Sequence, residues 1–180
     1  MESVDLTNVP VVDNHCHGVK TDQTFGDVEA WRRAFTESTD PGMPREHVAT
    51  TAFSRRLIRT LAPFLGCEAT EEAVFAARIA REGKGLTGEL LRAANIEALL
   101  LDTGFPPPEE VFPVPELGEL AGCHAEPMLR LEVLMERLLT EHDTLAATED
   151  ALAAALEDVR TGGHVALKSI AAYRTGLDIR

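Results

Sequence analysis

The sequence predicts an α/β fold built on a parallel sheet, on three observations. Four apolar runs of strand length are separated by segments of helical periodicity. That gives the order β, helices, β, α, β, α, β, which right-handed βαβ crossovers produce. Two of the runs, residues 96–103 and 165–172, are continuously apolar rather than alternating, as strands covered on both faces are. Glycine and proline punctuate the ends: Gly104 and Pro106-Pro107-Pro108 follow the second run, and Gly162-Gly163 and Gly176 bracket the fourth.

The first strand is residues 9–17, opening on Val9-Pro10-Val11-Val12 and ending in His15-Cys16-His17. Side chains on a strand alternate with period two, so His15 and His17 share a face, Asp13 lies on it one step earlier, and Cys16 faces the other way. Gly18 lets the chain turn. Two imidazoles on one face at a strand end make half of a transition-metal site. A His-x-His pair is weak evidence in a chain with six histidines. Its place directly after a buried-type strand strengthens it.

Residues from about 27 to 95 read as almost wholly helical, with Val48, Ala52, Leu57, Ile58 and Leu61 at helical spacing. Val74, Ala77 and Ile79 repeat the spacing after a cap at Thr70. This is an insertion where a βα connection normally takes a few residues. Such a segment covers a binding site or is purely structural, and both readings stand. The second strand, 96–103, is followed by a short helix at 116–121. The third strand is 126–133, where Met128, Leu129, Leu131 and Val133 surround Arg130 and Glu132. A helix follows at 132–142, with Leu134, Leu138 and Leu139 spaced for burial. The last helix is 149–160, with Thr148 as N-cap, acidic residues in its first turn and Gly162-Gly163 as its stop. The fourth strand, 165–172, closes the set.

A chain of 180 residues, 44% hydrophobic and 26% charged, can build one good core. The net charge of −13 argues against nucleic acid or an anionic membrane as partner. Arg55, Arg56 and Arg59 read as one solvated helix face. Residues 1–10 carry neither a basic nor an apolar leader region, so no secretory signal is predicted. No apolar stretch approaches the ~20 residues that span a bilayer. Cys16, Cys67 and Cys123 lack Cys-x-x-Cys spacing and suit a reducing cytoplasm as small buried side chains. No Gly-rich phosphate loop, serine nucleophile elbow or Cys–His pairing is apparent.

With His15-x-His17 on a first strand followed by βα units, the chain resembles the amidohydrolase superfamily of metal-dependent (β/α)8 barrels. Within it the chain is similar to the amidohydrolase-2 type domains of FluG-like proteins, whose relatives can be fused to a glutamine synthetase domain. The stretches that carry the similarity are Val11-Val12-Asp13-Asn14-His15-Cys16-His17, Leu65-Gly66-Cys67, residues 96–105 and residues 167–177. The similarity spans nearly all of the chain. It implies that residues 1–180 are the N-terminal half of a TIM barrel, four parallel strands with a helical insertion after the first, because such a barrel has eight strands and typically ~250 residues. Superfamily members draw further ligands from later strands, typically histidines on the fifth and sixth and an aspartate on the eighth. A truncated chain, inactive alone, is therefore expected. Two histidines would hold a metal weakly, since functional zinc sites use at least three protein ligands. Unpaired edge strands would also favour association.

The resemblance implies that His15 and His17 bind a divalent metal, most often zinc. That metal would lower the pKa of a bound water from 15.7 to about 7 for attack on an amide, lactone or related carbon. Asp13 orients an imidazole or caps backbone amides. Lys168, on the fourth strand, is the catalytic candidate. In several branches a lysine there is carboxylated and bridges two metals; it could instead hold an anionic substrate group or be solvated. Arg174 has the parity of Lys168 and suits a bidentate clamp on a substrate carboxylate, or else a surface ion pair beside Tyr173. Asp102 faces the pocket or caps the next loop, and Arg130 and Glu132 share a face and could pair with each other. His47 reads as an exposed helical histidine, while His124, His142 and His164 carry no site role. The expectation is a cytoplasmic metal-dependent hydrolase acting on a small molecule through C–N or C–O bonds. The alternatives are a metal-dependent decarboxylase and a non-catalytic regulatory module attached to a glutamine-synthetase-like enzyme.

Overall fold

The computed structural model describes residues 4–5, 8–81, 83–157 and 159–176. Part of the N-terminal stretch read for a leader, residue 158 of the last predicted helix and Leu177 of the fourth similar stretch lie outside these residues. Strand β1 (Val11–His17) begins after Pro10, which has no N–H to give to a ladder. Five helices follow: α1 (Val28–Arg33), α2 (Met43–Glu46), α3 (Ala52–Leu65), α4 (Glu71–Ile79) and α5 (Lys84–Ala93), with a 3-10 turn at Val48–Thr50. Then come β2 (Ile96–Asp102), α6 (Val114–Ala121), β3 (His124–Arg130), α7 (Leu131–Glu141), α8 (Leu145–Glu157), β4 (Ala166–Lys168) and α9 (Ala171–Thr175). The sheet has the order β1-β2-β3-β4, and every pairing is parallel. No helix among the described residues is long and apolar enough to cross a membrane.

The chain divides into two compact units, one of Gln23–Leu86 and one of Met1–Asp22 with Thr87–Arg180. In the helical unit, Asp27, Thr51 and Thr70 each cap a helix by accepting a backbone N–H three residues on. Gly66, left-handed at φ 72°, ends α3. Its core is Trp31, Ile58, Ala62 and Val74. The indole meets Phe35 edge-on at 5.3 Å between ring centres. Arg32 donates to Glu71 through Nε at 2.8 Å, tying α1 to α4.

In the sheet unit the strand period sorts β2 into two sets. Leu99 and Leu101 are buried against Phe112, Leu117 and Ala121, with Cys16, Cys123 and Ala125 packed beside them. Ala98, Leu100 and Asp102 take the opposite face. Gly118 permits close contact of α6 with the sheet, since a Cβ there would lie 3.1 Å from both Ala125 Cβ and Cys123 O. Gly122, at φ 70°, ends α6.

Several boundaries differ from the sequence reading. The third strand stops at Arg130, because Leu131, Glu132 and Val133 already belong to α7. There the helical spacing of buried Leu134 and Leu138 outweighs local alternation, while Leu139 stays 55% exposed. The last helix starts four residues early: Thr144, not Thr148, accepts the capping N–H, from Ala147, and Thr148 is buried inside it. The fourth strand is three residues long, and Tyr173 and Arg174 lie on α9 beyond it. Nor is that strand covered on both faces, since Val165 and Leu167 are half-exposed.

Candidate metal centre

A parallel sheet gathers the C-terminal ends of its strands along one edge, and here each strand ends in a residue that can do chemistry: His17, Asp102, Arg130 and Lys168. Register aligns them in pairs, His17 with Asp102 and Arg130 with Lys168. His15 joins from β1. The pairing of β1 slips between Asp13 and Cys16, where Asp13 accepts the His15 backbone N–H at 3.2 Å. Asp13 therefore shapes the strand rather than an imidazole.

The centre of the cluster is Asp102, the most deeply buried charged group of the sheet unit among the described residues, with no side-chain exposure. Its Oδ2 lies 3.8 Å from His15 Nε2, 3.9 Å from His17 Nδ1 and 3.6 Å from Lys168 Nζ. Arg130 grips it through Nε, 3.1 Å from each oxygen, and Nη2, 2.5 Å from Oδ2; the Gly104 N–H adds 3.0 Å to Oδ1. Burial would push the Asp102 carboxyl up. The hydrogen bonds from Arg130 and Gly104, with the charges of Arg130 and Lys168, outweigh it and hold the group below its ordinary value. Asp102 stays a carboxylate at neutral pH.

The two histidines converge, with ring centres 5.2 Å apart and planes inclined by 68°. Both are about two-fifths exposed, so the site opens to solvent. His17 Nδ1 lies 2.8 Å from the Phe105 carbonyl, which can only accept, so Nδ1 donates this bond and Nε2 is the ring nitrogen left to face other partners. Lys168 Nζ contacts His15 Nε2, with its side chain 19% exposed. His15, His17 and Asp102 offer ligand atoms within 4.8 Å of one another, the one such group among the described residues.

Cys16 points away from the histidines, toward the Leu100 carbonyl at 3.6 Å. Burial, then the charge of Asp13 and the neighbouring Cys123, pushes its thiol up to about 12, so it stays protonated. Arg174 is not brought to the cluster. It reaches Glu136 of α7 at 3.3 Å, both side chains more than half exposed, which is a surface ion pair. Glu132 and Arg130 do not pair either: Arg130 is on Asp102, while Glu132 Oε1 accepts from Ser169 and Ile170.

Asp102 and Arg130 are the site residues that sequence reasoning undervalued. The signal that would have found them is the charged last residue of an apolar strand, taken strand by strand. The Phe105 carbonyl has no such signal, since any residue supplies one.

No protein-family model matches the chain, and none of the curated proteins does. Its fold matches a crystal structure from Lactobacillus casei ATCC 334, of a "putative metal-dependent hydrolase", with a TM-score of 0.78 over 97% of this chain at 24% identity. The chain covers 46% of that protein.

Proposed function

We propose that the protein is a metal-dependent hydrolase of the amidohydrolase type, acting on amide or related C–N and C–O bonds of a small molecule in the cytoplasm. The observation that carries this reading is the gathering of two imidazoles and one carboxylate, with ligand atoms within 4.8 Å of one another, at the C-terminal edge of a parallel sheet, where α/β folds place their sites. The sheet order β1-β2-β3-β4 supports strands of a (β/α)8 barrel, and the fold likeness to a protein described as a metal-dependent hydrolase points the same way.

The donor set fits a divalent transition metal such as zinc. Two imidazole nitrogens and a carboxylate oxygen within 4.8 Å are the ligand types and the minimum number such a site needs. When bound, such a metal supplies Lewis acidity and brings a coordinated water near pKa 7. His15, His17 and Asp102 would hold it. The Phe105 carbonyl fixes the ring of His17 and its tautomer, and Arg130 keeps Asp102 ionised and oriented. Lys168, the catalytic candidate, stands on a flexible stem beside His15 and Asp102, able to swing aside and donate to an anionic group of the substrate.

Zinc titration of the metal-free chain tests this. One ion should bind per chain, and His15→Ala, His17→Ala and Asp102→Asn should each weaken it by more than about tenfold. Binding that survives all three substitutions would refute the assignment.

A further inference from the structure

Lys168 ends a strand of three residues at the edge of the sheet, with one neighbouring strand. A short edge strand frays readily, yet Lys168 is held against His15 and Asp102. The residues just beyond it explain how. Glu132, in the first turn of α7, accepts the Ser169 hydroxyl at 2.6 Å and the Ile170 backbone N–H at 2.8 Å, both on Oε1. Ser169 Oγ in turn accepts the Ala171 N–H at 3.1 Å, where α9 begins. One carboxylate oxygen therefore pins both residues that follow Lys168.

The other oxygen, Glu132 Oε2, is buried and has no hydrogen-bond partner among the described residues. Burial would push the Glu132 carboxyl up; the hydrogen bonds from Ser169, Ile170 and its own backbone N–H, with the charge of Arg130, outweigh it and hold the group below its ordinary value. We infer that Glu132 is a positioning residue of the site, a clasp from α7 that fixes the end of β4 and so the reach of Lys168. The inference deepens the function proposed above and rests on it for its meaning. Its geometry stands apart.

The sequence contains three lysines, Lys20, Lys84 and Lys168, so acetylation of each can be followed by mass spectrometry. In the wild-type full chain Lys168 should acetylate several-fold more slowly than Lys20, whose side chain is 56% exposed. Glu132→Ala should bring Lys168 to within twofold of Lys20 while leaving Lys20 unchanged. Glu132→Gln keeps an oxygen acceptor for Ser169 and Ile170 and should restore the protection, which a general loss of stability would not. Ser169→Ala removes only the hydroxyl bond and should give an intermediate rate, and it decides the matter if Glu132→Ala does not fold. Unchanged Lys168 protection in the folded Ala variant, or in Ser169→Ala when that variant is unfolded, overturns the clasp. Absence of zinc binding by the wild-type chain would defeat the metal assignment and leave the acetylation result intact.

Discussion

Gly104 has no side chain where any side chain would collide with Arg130. A Cβ there would lie 2.8 Å from Arg130 Cδ and 2.9 Å from both its Cβ and Nε. Arg130 Cβ is fixed by its own backbone and cannot swing away, so the rest of the arginine side chain would have to shift and its guanidinium would be driven off Asp102. Gly104→Ala should therefore cost about 1–3 kcal/mol in urea unfolding from crowding alone. It should also weaken zinc binding about tenfold, because Asp102 loses the partner that orients it. Normal zinc affinity in this variant would show that Arg130 is dispensable to the site. The histidine pair was legible from the sequence because period two is a local rule. The part played by Asp102 was not, because it depends on Arg130 arriving 28 residues later from another strand.

At the scale of elements, the strands and helices that the sequence made plain are those whose interior residues pack densely. β2 was placed to within one residue, since Leu99 and Leu101 are buried and Gly104 stops it. β4 was overextended because its apolar residues suggest burial, whereas Val165 and Leu167 are half-exposed at an edge. The overlap between the third strand and the following helix arose where both periodicities fit the same residues, Glu132 and Val133, and only tertiary packing of Leu134 and Leu138 decides. α6 is the element that joins core to sheet, with Leu117 almost wholly buried against β2. Leu117→Ala should lower stability by about 2–5 kcal/mol, read from the urea midpoint by circular dichroism. A loss below about 1 kcal/mol would mean that the cluster collapses to fill the space.

At the scale of the molecule, two separate cores organise the chain, one around Trp31 and Val74 and one around Leu99 and Leu117. The single tryptophan of the sequence lies in the helical one. Its fluorescence therefore reports that unit, while zinc binding reports the other. Val74→Ala should lower the fluorescence-detected urea midpoint by an amount equivalent to roughly 1–3 kcal/mol. It should leave zinc affinity within about twofold. A parallel loss of both would show that the two cores do not act separately. The run of helices between the first two strands was legible from its spacing alone, but its existence as a compact unit was not, because the Trp31, Ile58 and Val74 contacts join residues far apart in the chain.

His15 and Lys168 meet across 153 positions of sequence, with Asp102 and Arg130 drawn from between them. No peptide cut from this polypeptide could reproduce that meeting. The three groups that would hold a cation come together when the first two ribbons dock, so a cation bound there would reward that docking and none of the forms that precede it.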